Sequence, residues 1–468
     1  MNETIDAGST LKLYSARWVL PMSSGAIESG AVVVGGSRIV AVGGRTELAA
    51  RFPEAVERDF QEAVILPGLV NCHSHLELTV MRGFLEREEC DFKAWLQKLT
   101  KARLERMTPD DIRVSAAWGA VEAARAGVTC VADASDGAAS SVAALREVGL
   151  RATVYQELFG PDARLAREQL EKLREKISSL REQETALVRV GVSPHAPYTV
   201  SGALLELATD YALGEDLPMM MHAAESRDES LFVGEGRGAF AENLARRGIE
   251  WHAPGVSTIQ YLAARGLLAA RPLLAHCVTV DDADIHTIKE AGASVAHCPK
   301  SNAKLGHGHA PFASFVANHL AVGLGSDSVA SNNACDLLEE ARFALLLARA
   351  VGRVERSGDE QGDARQLTAE DVLRVATVGG ANALGLRGQT GALAEGLQAD
   401  LVVVSLAGAH QQPVYDPSAA LVFSSSARDV LLTLVAGREI YKDGRVTTVD
   451  EERLRARLSE IREKLASI

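Results

Sequence analysis

The stretch Val64-Ile65-Leu66-Pro67-Gly68-Leu69-Val70-Asn71-Cys72-His73-Ser74-His75 decides how the chain is read. An apolar run of strand length ends in two histidines two positions apart. Side chains alternate faces along a strand, so both rings point the same way and can hold one metal ion. A lone His-x-His carries little weight, but further apolar runs close in His222, His276 and Asp327, so several strand ends are expected to deliver polar groups to one place. Imidazole nitrogens with one carboxylate suit zinc, with iron(II) as the alternative, and leave a position open for water. The expected ligands are His73, His75, His222 and Asp327.

Working outward, short apolar runs at 64–70, 128–133, 152–158, 188–193, 218–222, 272–276, 293–297 and 321–327 alternate with amphipathic stretches such as 110–126 and 163–182. Repeated βα units joined by right-handed crossovers predict an α/β fold, a (β/α)8 TIM barrel over residues 64–380. The flanks, 1–63 and 381–468, are rich in short strands and turns. Neither can bury a core alone, so they are expected to pair into one small β-sandwich domain formed by both chain termini. A final helix over 450–468 repeats Leu454, Leu458, Ile461 and Leu465, a stripe expected to dock on the barrel. The longest insertion, 226–255, has neither a phosphate-binding glycine fingerprint nor a Walker lysine, and is expected to be a substrate lid or a surface excursion.

Composition limits the function classes. Hydrophobic residues are 47% and charged residues 24%, ordinary for a folded protein with a large core. A net charge of −13 opposes a polyanion, so no nucleic-acid polymer is expected as a partner. No apolar run is long enough to span a bilayer and the first ten residues lack a leader pattern, so no membrane partner is expected and the cytoplasm is the default location. The six cysteines include no C-x-x-C, which argues against disulfides and a cysteine zinc site. Cys72, Cys277 and Cys298, each beside a histidine, are expected to face the layer opposite it as small buried hydrophobes.

In a barrel of this kind the site lies at the C-terminal strand ends. The fourth run ends in Ser193-Pro194-His195, and the nearest lysines, Lys172 and Lys176, fall on a predicted surface helix, so nothing bridges a second metal and one ion is expected. A bound divalent metal lowers the pKa of water from about 15.7 to about 7, which gives hydroxide at neutral pH. Glu225, three residues past His222, is placed to take the water proton and pass it to a ring nitrogen; Asp327 can accept the second proton and deliver it to a leaving amine; His276 can hydrogen-bond the hydroxide or oxyanion. His195, between two prolines, can donate to a ring acceptor. His297 fits packing or substrate contact equally. His307 and His309 fall in a glycine-rich loop, and His252, His286, His319 and His410 read as surface or packing positions.

The segments Pro67-Gly68-Leu69-Val70-Asn71-Cys72-His73-Ser74-His75, Met220-Met221-His222-Ala223-Ala224-Glu225, Ala275-His276-Cys277, Pro299-Lys300-Ser301-Asn302-Ala303-Lys304-Leu305-Gly306 and Gly325-Ser326-Asp327-Ser328 together resemble the amidohydrolase superfamily. The branch is that of S-adenosylhomocysteine/methylthioadenosine deaminases and triazine chlorohydrolases. The resemblance implies one metal on the four ligands named, proton transfer by Glu225, His276 and Asp327, purine contact by His195 and approach of Ser331 to the base. His75-Leu76-Glu77-Leu78, Phe92-Lys93-Ala94-Trp95-Leu96 and Tyr155-Gln156-Glu157-Leu158 look more like aminodeoxyfutalosine deaminases, and Trp95 and Glu157 are counted with the substrate contacts. The nearest acidic residue after Trp95 for ribose hydroxyls is Glu105, out of register by one. The expected activity is metal-dependent hydrolytic deamination of an adenine nucleoside: aminodeoxyfutalosine first, then S-adenosylhomocysteine, methylthioadenosine or adenosine. The alternatives are hydrolysis or dechlorination of a triazine or pyrimidine ring, and a non-catalytic scaffold. A small-molecule substrate and a homodimer or larger homo-oligomer complete the expectation.

Overall fold

The computed structural model describes residues 10–89, 91–355 and 366–466. Cys90 and the leader reading of residues 1–9 lie outside the described residues. Eight parallel strands, Leu69–Ser74, Val128–Ser135, Arg151–Leu158, Val188–Pro194, Met220–Ala223, Leu273–His276, Ser294–His297 and Ala321–Leu324, form two four-stranded runs. Parallel bridges Val192↔Met219 and Ser74↔Asp327 join the runs at both seams and close the barrel. Alternate residues such as Val70, Cys130, Ala132, Tyr155, Met220 and Ala275 fill its interior, while Ala381, Leu384 and Leu386 belong to the same cluster. The barrel is therefore packed below its mouth, as the fold requires.

One expectation is corrected at the stretch that opened the reading. The apolar run is not one barrel strand: Ala63–Pro67 pairs with Leu401–Ser405 and with Lys12–Val19 in the terminal sheet, and the barrel strand begins at Leu69. Gly68 is the joint. Its N–H donates to the Asp400 carbonyl at 3.0 Å while Leu69 N–H donates to Gly127 at 3.0 Å, so consecutive amides serve different sheets. A Cβ on Gly68 would sit 2.1 Å from the Thr129 side chain, which explains the glycine. Residues 63–67, expected in the barrel, thus pair within the terminal sheet. Helix Gly380–Ala383, past the expected limit at 380, packs against the barrel core through Ala381.

The terminal sheet has nine strands. It runs from Arg445–Val446 through Arg438–Lys442, Val430–Val435 and Leu401–Ser405 to Ala63–Pro67, then Lys12–Val19, Ile27–Gly35 and Arg38–Gly44, with Val56–Asp59 alongside Lys12–Val19. Alternation divides it: Ile65, Val403, Leu434, Tyr14 and Val32 share one small core, while Val64, Leu66, Val402 and Val404 join the main barrel cluster. An antiparallel bridge from Arg38 to Gln398 ties the far edge back to the other half. The buried pair Arg151–Asp400, 2.8 and 3.3 Å, fastens this sheet to the third barrel strand. Helix Glu451–Leu465 buries Leu454, Ile461 and Leu465, and its Lys464 pairs with Asp111 on the barrel helix Pro109–Arg125. Among the described residues no helix is long and apolar enough to cross a membrane.

Candidate active site

Regular strand alternation alone would not assemble the mouth; local departures from it do. Cys72 sits in the barrel-interior cluster, contrary to the expectation that it faces away from His73. The pairing of the first two strands shifts register between Asn71 and Ser74, and this irregularity brings His73 inward as well, with Nδ1 3.4 Å from the Met220 sulfur. Ala275 also faces inward, so the next residue would normally turn out; a φ of 75° at His276 redirects its ring into the mouth. Ala224, Cys277 and Asp327 likewise hold positive φ, at 53°, 47° and 55°. Such conformations cost roughly 1–3 kcal/mol each in non-glycine residues and concentrate at functional sites.

Four side chains converge. His75 Nε2 lies 3.2 Å from His222 Nε2, and Asp327 Oδ1 lies 3.4 Å from His73 Nε2 and 3.6 Å from His75 Nε2. Tetrahedral ligands bound at about 2.0–2.1 Å stand about 3.3 Å from one another, so this spacing fits a metal. The buried Nε2 of His73 has no hydrogen-bond partner, and two facing imidazole nitrogens cannot satisfy one another unless one carries a proton. His222 Nδ1 lies 2.8 Å from the His195 carbonyl; donating there, it leaves Nε2 as the free lone pair. Burial lowers the His73 pKa to about 4 and pushes that of His222 well below the usual range, favouring the neutral, ligating form. Burial works against ionisation of Asp327, but His73 and its neighbours hold that carboxyl well below its ordinary value. Asp327 Oδ2 accepts from Ser331 Oγ at 2.8 Å and from Ser301 Oγ, which turns Oδ1 toward the histidines.

Above this cluster opens a cavity of about 790 Å³ lined by Trp95, Glu157, His195, Glu225, His276 and Phe240 among others. His276 Nδ1 lies 2.8 Å from Asn302 Oδ1 and its Nε2 lies 3.6 Å from Glu225 Oε1. Burial opposes a charge on this ring, yet Glu225 and Asp327 raise its pKa above the ordinary value. Glu157, 93% buried, has no hydrogen-bond partner on Oε1; burial, with Glu77 nearby, holds its carboxyl well above the usual range. His195 Nδ1 meets Thr199 Oγ1 at 2.9 Å, and burial takes its pKa down to about 3.

Ser331 is a correction: it does not reach the cavity. Its hydroxyl is buried on Asp327, Ser301 and the Ser328 carbonyl, because the turn after the last strand folds it beneath the carboxylate. His297 stacks on Phe312 with centroids 4.8 Å apart, and does not line the cavity. The 226–255 insertion contributes Ala239, Phe240, Asn243 and Arg247 to the wall, with Phe240 stacked on Tyr198 at 3.8 Å. Sequence reasoning missed several supports. Asp133 accepts from the Leu76 amide (2.7 Å) and Ser74 Oγ (3.1 Å), bracing the His-Ser-His segment; burial raises its pKa to about 7. Glu77 is held by Arg103, Ser135 and the Gly137 amide. His307, read as a loop residue, is buried against Glu225. Glycines flanking a histidine in a tight loop are the only trace of this in the sequence.

A closed (β/α)8 barrel with histidines and a carboxylate converging at its C-terminal mouth has the layout of an enzyme site. The chain belongs to the amidohydrolase family, whose model matches residues 64–440, and as such it acts on carbon–nitrogen bonds. The model of an imidazolonepropionase-like composite domain of bacteria matches residues 30–55. A 5-methylthioadenosine/S-adenosylhomocysteine deaminase of Pelotomaculum thermopropionicum is 32% identical, covering 92% of this chain and 93% of its own length. A protein of the same name from Symbiobacterium thermophilum is 33% identical over 96% of this chain and 97% of its own. Among solved structures, an adenosine deaminase from Xanthomonas campestris with bound zinc superposes with a TM-score of 0.84 at 29% identity, covering 97% of this chain and 98% of that one.

Proposed function

We propose that this chain is a mononuclear zinc deaminase of adenine nucleosides, with His73, His75, His222 and Asp327 as the metal ligands. The observation that carries the reading is the convergence of these groups at 3.2–3.6 Å, directly below a cavity whose wall holds Glu225 and His276. Bound there, the metal supplies the Lewis acidity that makes water a nucleophile at neutral pH. The chain's own residues then move the protons. Glu225 takes one proton from the attacking water and gives it to a ring nitrogen as oxygen adds to the carbon that bears the amine. His276, held by Asn302 through Nδ1, directs Nε2 at the adding oxygen. Asp327 takes the remaining proton and passes it to the leaving nitrogen, so water and the amine become the ring oxygen and ammonia. His195, Trp95 and Glu157 are the proposed contacts to the nucleoside.

For the substrate, the names of the relatives support a thioether-bearing adenosine, methylthioadenosine or S-adenosylhomocysteine, ahead of aminodeoxyfutalosine and adenosine. The resemblance that favoured aminodeoxyfutalosine leaned partly on Glu77, whose oxygens are engaged by Arg103, Ser135 and Gly137. Ammonia release by the zinc-loaded protein against these nucleosides tests the reading, with Glu225→Gln as the internal control. The variant should keep its metal and lose about 10²–10⁴-fold in kcat. Turnover within a few-fold of the parent would remove Glu225 from the mechanism.

A further inference from the structure

His307 lies in Lys304-Leu305-Gly306-His307-Gly308-His309, between two glycines with φ of 71° and 102°. These left-handed turns fold the loop sharply, and the His307 side chain ends up only 5% exposed. Its ring meets Phe92 edge-on, with centroids 4.6 Å apart. Its Nε2 lies 3.6 Å from Glu225 Oε1 and has no hydrogen-bond partner. His276 Nε2 approaches that same oxygen, also at 3.6 Å. One residue couples the two rings: Asn302 takes the Nδ1 of His276 at 2.8 Å through its side chain and the backbone N–H of His307 at 2.9 Å through its carbonyl.

We propose that His307 is a positioning residue for Glu225: its Nε2 donates to Oε1 and holds the carboxylate in the orientation that serves the substrate once the Nε2 of His276 turns to the adding oxygen. The inference rests on the role given to Glu225 above. Both contacts exceed hydrogen-bond length as they stand, and contacts of this kind tighten in the complex with substrate. A carboxylate held by a donor that takes no part in the proton transfers loses rotational freedom, which is the benefit of holding a proton carrier near its target. The two rings are not equivalent. Burial depresses the proton affinity of His307, so it donates as the neutral imidazole, and it lies outside the set of groups placed on the metal. The charged and titratable groups acting on His307 are Glu225 just past the fifth barrel strand, Asp228 from the first turn of helix Arg227–Glu235, His276 from the sixth strand and Asp327 from beyond the eighth.

The test uses the zinc-loaded full chain and has an arm independent of turnover. Histidine ring nitrogens are followed by NMR through a pH titration, with His307 assigned by its loss in His307→Gln. In Glu225→Gln the midpoint of His307 should fall by about one pH unit, since an anion within about 4 Å has been removed; an unchanged midpoint overturns the proposal whether or not any nucleoside is turned over. In the activity arm, His307→Leu, which keeps bulk and loses the donor, should lower kcat by about 10-fold or more with KM little changed, and should move the acidic limb of the kcat/KM profile. His307→Gln, which keeps an N–H, should recover most of the loss. Equal losses in Leu and Gln variants, or a loss confined to KM, would make His307 a packing or substrate-contact residue instead. A parent protein with no deaminase activity would count against the proposed function alone, while the titration would still decide the contact.

Discussion

Asp400→Asn tests how firmly the terminal sheet is fastened to the barrel. Asp400 is fully buried and accepts two N–H groups from Arg151, at 2.8 and 3.3 Å, and the backbone N–H of Ala436 at 2.7 Å. Arg151 begins the third barrel strand, and Asp400 immediately precedes the strand Leu401–Ser405. The amide keeps the volume and can still accept from Ala436, but it leaves a guanidinium of 6% exposure without a counter-charge. Breaking a buried pair on one side costs roughly 3–5 kcal/mol, whereas replacing both members with apolar residues is often close to neutral. Urea unfolding should therefore show Asp400→Asn less stable by about 3–5 kcal/mol, with Arg151→Met/Asp400→Leu recovering most of it. Hydrogen exchange localises the effect, with protection at the Ala436 amide falling in the single variant. A single variant within 1 kcal/mol of the parent, or a double variant as unstable as the single, would refute the claim that uncompensated charge holds the junction together.

Two further outcomes follow from the site and its surroundings. His222→Asn removes one of four converging groups, so elemental analysis after dialysis should find the metal lost, with affinity reduced by more than the roughly 10–100-fold that an outer-shell partner is worth. Stoichiometric metal in a folded variant would displace His222 from the ligand set. His297, stacked on Phe312, has its pKa lowered to about 3 by burial, below the ordinary 6.5. Between those values the unfolded chain binds a proton that the folded chain does not, so the ring's contribution is complete above about pH 6.5 and is lost as pH falls. Lowering the pH from 6.5 to 5 should cost about 1.6 kcal/mol through this ring. His297→Gln should flatten the acid side of the stability profile measured by urea midpoint, and an unchanged slope would contradict this.

The barrel was legible because its strands alternate with amphipathic helices at a steady spacing, and the convergence of His73, His75, His222 and Asp327 because each ends an apolar run. The limits of that reading have physical causes. Composition could not divide residues 63–74 between two sheets, since both halves are equally apolar; the division depends on a glycine that must pass close to Thr129. Alternation assigned Cys72 to the wrong face because a register shift follows it. It placed His276 in the site only because the backbone departs from regular strand there, a torsion that sequence does not print. Ser331 was taken toward the base when its hydroxyl lies on Asp327, and His307 was overlooked because its partner, Glu225, is 82 positions away and reaches it only through the closed fold.

The placement of Ala63–Pro67 in the middle of the terminal sheet bears on how the chain is made. This strand has Lys12–Val19 on one side and Leu401–Ser405 on the other. Its second neighbour leaves the ribosome roughly 340 residues later, which at about 5–20 residues per second means a wait of roughly 15–70 s. Throughout translation of the barrel, an apolar strand keeps one row of peptide groups unpaired and open to other nascent chains. The strand Leu401–Ser405 thus acts as a covering strip for Ala63–Pro67, and any interruption of synthesis before it emerges leaves a product with an adhesive edge.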